Sequence, residues 1–121
     1  MKILVVDDEQ LVRWFLDRAL RRYGHEVITA ENVEDASVKL GSETIDVLLI
    51  DLRMPGENGK ELIGKVDKRG EKPKVIVCSA FITVELEEEL RQKGVCILRK
   101  PLNLDELNDA VQICMEKDPT F

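Results

Sequence analysis

The chain has 121 residues, 44% hydrophobic and 35% charged, which suits one domain built round one core. A formal charge of −6 lacks the basic excess of a nucleic-acid binder, and no apolar run approaches the roughly 20 residues of a membrane span. Three widely spaced cysteines, Cys78, Cys96 and Cys114, match neither a disulfide framework nor a zinc site and read as reduced core residues of a cytoplasmic protein.

The residues from Lys2 to Val6 predict a short strand. It runs at once into Asp7-Asp8-Glu9, so it does not read as a signal peptide. A helix is expected from about Glu9 to Tyr23, stopped by Gly24. At about 100° per residue, Val12, Phe15, Leu16, Ala19, Leu20 and Tyr23 share the face expected to meet the sheet. Leu11 lies on the border of that face and Trp14 points almost the opposite way, so Trp14 reads either as a chance exposed aromatic or as part of a docking patch with Leu11. Glu26 to Ala30 predicts a second strand, with the lone histidine, His25, in the turn before it and expected on the solvated surface. Asn32 with Asp35 has the capping pattern of a second helix, running to about Leu40 and stopped by Gly41.

Residues from Asp46 to Ile50 predict a third strand. Its continuous apolar run, Val47-Leu48-Leu49-Ile50, suits a strand covered on both faces, as in a parallel sheet. Asp51 follows it, and Pro55-Gly56 turns the chain. Asn58 with Glu61 opens a third helix to about Lys68, and the run from Arg69 to Pro73 is a polar turn. Lys74 to Cys78 predicts a fourth strand that ends at Ser79. Thr83 can cap a fourth helix from about Val84 to Lys93, closed by Gly94, whose run Glu85, Glu87, Glu88 and Glu89 reads as a solvated face or otherwise as a partner surface. Val95 to Leu98 predicts a fifth strand, followed by Arg99-Lys100-Pro101. Asn103 and Glu106 cap a fifth helix with Leu104, Leu107, Val111 and Cys114 at helical spacing, fraying by Asp118-Pro119.

Five strands alternating with five helices imply an α/β fold, a doubly wound parallel sheet with right-handed crossovers and helices on both faces. No repeat, linker or low-complexity segment divides residues 1–121, so a single domain is expected. In such sheets, ligands bind outside the carboxyl ends of the strands. Strand one ends in Asp7-Asp8, strand three in Asp51, strand four in Ser79 and strand five in Lys100. If all strands are parallel, these groups share one rim. Three carboxylates close together repel, and a bound cation relieves that repulsion. Oxygen-only ligands favour a hard ion such as Mg²⁺. A lysine offers a point charge for a phosphate oxygen and a serine offers a hydrogen bond. The set reads as Mg²⁺-assisted phosphoryl transfer onto a carboxylate.

The residues Ile3 to Asp8, Asp51 to Gly56 with Gly59, Ser79-Ala80 and Lys100-Pro101 together resemble the receiver domain of two-component response regulators, over the whole chain. The resemblance implies a flavodoxin-like sheet of strand order 2-1-3-4-5, which sets strands one and three side by side. It implies that Asp51 accepts phosphate from a histidine kinase, a phosphotransfer protein or a small phosphodonor. Asp8, Asp51 and the backbone carbonyl of Arg53 would bind Mg²⁺ directly, and Asp7 through water. Lys100 would pair with the phosphoryl group, Ser79 would move toward it and start the switch, and Lys100-Pro101 would be a cis peptide. The implied product is a signalling switch of a phosphorelay, not an enzyme acting on other substrates. Its output would run through an effector domain, a target protein or a phosphorylation-dependent dimer, with the fourth and fifth helices as the changing surface. Arg53 and Phe81 stand at places that tune dephosphorylation in the family.

One position departs from the pattern: Ile97 stands where the family commonly has an aromatic residue on strand five, which puts the usual aromatic rotamer switch in doubt. Other classes fit less well. A haloacid-dehalogenase-type phosphohydrolase needs an Asp-x-Asp pair on strand one, whereas Asp7 and Asp8 are adjacent. A flavin binder needs a hydroxyl- and amide-rich phosphate loop, which Asp7-Asp8-Glu9 would oppose. A pseudo-receiver would leave some acid, serine or lysine positions unfilled, and here all are filled.

Overall fold

Nine elements follow one another along the residues that the computed structural model describes, 1–51, 73–79, 82–99 and 103–116. They are β1 (Lys2–Val6), α1 (Gln10–Arg22), β2 (Glu26–Ala30), α2 (Val33–Ser42), β3 (Val47–Asp51), β4 (Lys74–Ser79), α3 (Val84–Gln92), β5 (Cys96–Arg99) and α4 (Leu104–Glu116). The five strands form one parallel sheet in the order β2-β1-β3-β4-β5, as expected. Helices α3 and α4 are the expected fourth and fifth helices. The expected third helix, the Pro55-Gly56 turn, Arg53, Ala80, Phe81 and Lys100-Pro101 lie outside the described residues.

Alternation along each strand sorts the core into two layers. Leu4, Val6, Leu48, Ile50, Val75 and Val77 face one side and meet Val33, Ala36 and Leu40 of α2 and Leu90 of α3. Ile3, Val5, Val47, Leu49, Ile76 and Cys78 face the other and meet Leu16 and Leu20 of α1 and Leu107 and Val111 of α4. Every residue of β3 is buried, because it lies in the middle of the sheet with apolar contacts on both faces. Cutting a side chain such as Leu20 or Leu48 back to alanine costs about 3 kcal/mol at sites of this kind.

Local chemistry sets the helix ends. Asn32 accepts a hydrogen bond from the Asp35 N–H at 2.7 Å, and Thr83 accepts one from the Leu86 N–H at 3.1 Å, so both expected caps are present. The Asn103 side chain accepts from the Asp105 N–H at 2.8 Å. Gly24 (φ +87°) and Gly94 (φ +78°) take the left-handed conformation after α1 and α3, where a side chain would be strained.

Several expectations are corrected. Gly41 does not stop α2. The helix runs to Ser42, and the Glu43 N–H closes it on the Lys39 carbonyl at 3.0 Å, so no left-handed residue is needed. Phe15 (44% exposed) and Tyr23 (41%) leave the core face of α1, while Leu16, Ala19 and Leu20 fill it. The apolar stripe is wider than the strip the sheet covers, and Tyr23 lies past the end of the helix, where its hydroxyl donates to Asp105 at 3.3 Å. Leu11 and Trp14 are exposed, and the Arg18 guanidinium lies 4.5 Å from the centre of the Trp14 ring. His25 is half-buried rather than solvated, and neither ring nitrogen has a hydrogen-bond partner among the described residues. Cys78 is a buried core thiol and Cys96 is partly buried; the side chain of Cys114 lies outside the described residues. Among the described residues, no helix is long and apolar enough to cross a membrane.

Candidate functional site

Strand register assembles the polar rim. Val6 pairs with Ile50, so Asp7 leaves β1 beside Asp51 at the end of β3. Asp51 pairs with Cys78, which puts Ser79 one residue further along β4. Ser79 in turn pairs with Arg99. The apolar runs drive the strands into the core, and the first polar residue after each run is carried to the same edge. The strands reach one residue further than the apolar pattern suggests: β3 includes Asp51, β4 includes Ser79 and β5 includes Arg99.

Asp7, Asp51 and Ser79 are the buried polar residues here, each no more than 6% exposed, whereas Asp8 is exposed. One carboxylate oxygen from each of Asp7, Asp8 and Asp51 lies within 4.8 Å of the others. The three acids predicted from sequence are therefore together, with Ser79 on the adjoining strand end. Lys100 and the Arg53 carbonyl lie outside the described residues. A donor set made only of carboxylate oxygens, drawn close at a sheet edge, fits a hard divalent cation of the Mg²⁺ type.

Asp7 is gripped through its N–H, its carboxylate and its carbonyl. Its N–H donates to the Ala30 carbonyl at 3.2 Å. Its Oδ1 accepts from the Glu9 N–H at 2.9 Å, and its carbonyl accepts from Arg13 Nη1 at 2.6 Å. The last contact was not foreseen from sequence. A signal for it exists: Arg13 sits near the N-terminus of α1, where the helix dipole disfavours a cation, so another partner is needed to hold it there.

A second contact missed from sequence lies beside the rim. Glu85, Glu88 and Glu89 are exposed, as the solvated-face reading requires. Glu87 is not: only 21% of its side chain is exposed, and its two oxygens accept from Arg91 and Arg99, each at 3.0 Å. It ties α3 to the last residue of β5.

The comparisons with known proteins agree with this architecture. A family model described as the response regulator receiver domain matches residues 3–112. The chain is 37% identical over 105 residues to the DNA-binding transcriptional regulator NtrC of Salmonella typhimurium, a match covering 86% of this chain and 22% of that protein. The chain thus spans about a fifth of that relative's length. It is 30% identical over 112 residues to sporulation initiation phosphotransferase F of Bacillus subtilis, covering 92% of this chain and 90% of that one. Among solved structures it is similar to the response regulator protein TrrA of Thermotoga maritima in complex with Mg²⁺ and beryllium fluoride, with a TM-score of 0.81 and 34% identity over 93% of this chain and 97% of that one.

Proposed function

This chain belongs to the response regulator receiver domain family, and from that premise we propose that residues 1–121 form one receiver domain that takes a phosphoryl group on Asp51. As a receiver it is a phosphorylation-dependent switch of two-component signalling. The observation that carries the residue assignment is the cluster itself: a buried carboxylate at the end of the central strand, within 4.8 Å of two more.

In the proposed reaction an Asp51 carboxylate oxygen attacks the phosphorus of a phosphohistidine on a histidine kinase or phosphotransfer protein. The P–N bond breaks, and its electron pair returns to the imidazole nitrogen. A small phosphodonor such as acetyl phosphate would lose a carboxylate instead. Asp51 ends β3 and is 6% exposed, so the sheet fixes where its carboxylate can meet a phosphodonor. Asp7, Asp8 and Asp51, with the Arg53 carbonyl, would hold Mg²⁺, which when bound neutralises the clustered acids and the phosphoryl oxygens. Lys100 pairs with the phosphoryl group and the Ser79 hydroxyl donates to it. The Mg²⁺ and beryllium fluoride in the complex of the similar Thermotoga maritima protein support this metal.

The chain then assists only its own phosphorylation and dephosphorylation and turns over no other substrate. Its setting is the cytoplasm, and its net charge of −6 argues against direct nucleic-acid contact by this domain. Output passes to an effector domain, a target protein or a second copy through the α3–α4 side. The test is intact mass after incubation with acetyl phosphate and Mg²⁺. The parent chain is expected to gain one phosphoryl group and Asp51→Asn none. Equal gain by the substituted chain removes Asp51 as the acceptor.

A further inference from the structure

We propose that Arg13 is a positioning residue of the acidic cluster: its guanidinium holds the Asp7–Asp8 peptide so that the Asp8 carboxylate meets those of Asp7 and Asp51. The inference rests on the metal-binding reading above.

Asp8 is exposed, so packing does little to orient it. What the turn can fix is the backbone from which Asp8 springs, and the Asp7–Asp8 link there is one rigid peptide plane. The Asp7 carbonyl and the Asp8 N–H belong to that plane, so fixing one fixes the other. Arg13 Nη1 donates to this carbonyl at 2.6 Å, a short, charge-assisted contact. The same turn is closed from the other side by the Glu9 N–H on Asp7 Oδ1 at 2.9 Å, and Arg13 is itself anchored in α1 through its N–H on the Glu9 carbonyl at 3.1 Å. Arg13 thus closes a loop from β1, through the turn, to the first turns of the helix. Three carboxylates brought within 4.8 Å repel, and the exposed one has the most freedom to swing away. The clamp limits that swing by fixing the peptide from which the side chain springs.

Two effects of Arg13 oppose each other in sign, which makes the idea testable. As a charge, the guanidinium repels a cation entering the cluster, so its loss should tighten Mg²⁺ binding. As a clamp, its loss should weaken binding. The structure favours the clamp, because the contact is to the carbonyl and not to a carboxylate.

The experiment is calorimetric titration of the full chain with MgCl₂, alongside thermal unfolding. Arg13→Met, which keeps the stem and removes every donor, is expected to raise the Mg²⁺ Kd about tenfold, the order of one charge-assisted hydrogen bond. Arg13→Lys, which keeps the charge and one compact donor, should recover part of that loss. Both should unfold within a few degrees of the parent. Unchanged or tighter binding in Arg13→Met overturns the proposal. If Arg13→Met does not fold, Arg13→Lys decides: weaker binding supports the clamp, and unchanged binding removes it. Asp8→Ala serves as the reference for a lost ligand. A parent chain that takes up no Mg²⁺ would instead defeat the metal-binding reading, so the two failures are distinguishable.

Discussion

Asp8 and Asp51 are chemically alike and differ in where the chain puts them. Asp51 ends a fully buried strand, so its oxygens are aimed by the sheet, whereas Asp8 stands in the solvent-exposed turn beyond β1. Both positions were legible in the sequence, because an apolar run that meets an acid marks a strand end. His25 was not legible. A histidine in a turn reads as solvated, yet the fold half-buries it, and burial lowers its pKa below the usual 6.5. In the interval below 6.5 the unfolded chain then binds more protons than the folded one. Stability from this group is full above that value and is lost as the pH falls toward the folded-state pKa. The urea midpoint of the parent should therefore drop more between about pH 7.5 and 5.5 than that of His25→Asn, since only the parent titrates here. Equal drops in the two proteins would show that His25 is solvated after all.

At the scale of elements, the boundaries of the described elements fall within a residue or two of the sequence pattern, and the strands that run long share a cause. Sequence marks where the apolar pattern stops, but the parallel ladder continues until a backbone partner is lost. Asp51, Ser79 and Arg99 are therefore strand residues that local pattern assigned to loops. Gly41 shows the reverse case, a residue with stop-signal chemistry that the helix did not need. Glu87 shows a third: the fork from α3 to Arg91 and Arg99 depends on β5 lying beside α3, which no local window contains. Ile97 on β5 is partly buried and packs against the core layer that includes Leu90 and Val95. A β-branched side chain in such a place is stiff at its first torsion, so it serves better as packing than as a rotating switch. Ile97→Ala is expected to cost about 1–2 kcal/mol, below the range for a fully buried site. It should leave intact the change in amide exchange that beryllofluoride causes between residues 79 and 93. Loss of that response, with fold and beryllofluoride binding preserved, would make Ile97 a switch element. Thr83→Ala, which removes the cap of α3, should cost about 1 kcal/mol and speed exchange in the first turn of that helix.

The whole molecule sets two apolar layers, which stabilise it, against one polar rim that works against them. The layers follow from alternation and helical spacing alone, which is why the doubly wound sheet could be read from the sequence. The rim is different: like charges gathered within 4.8 Å repel, and a bound cation accounts for gathering them. At an effective dielectric near 20, two unit charges at such a separation repel by about 3 kcal/mol, reduced where Asp8 meets water. Taking one charge away should therefore stabilise the metal-free fold while abolishing its function. Asp51→Asn is the clean case, because the shape is kept and a buried charge is lost. In excess chelator its unfolding midpoint should exceed the parent's by several degrees, as about 1–2 kcal/mol does in a domain of this size. Saturating Mg²⁺ should then raise the parent more than the variant, because a ligand that binds only the folded state stabilises it by mass action, and the variant has one ligand fewer. The two midpoints should converge or cross. If chelator leaves Asp51→Asn less stable than the parent, then Asp51 contributes more through its hydrogen bonds and ion pairs than it costs by repulsion, and the rim is a structural feature of the sheet rather than strain kept for phosphoryl transfer.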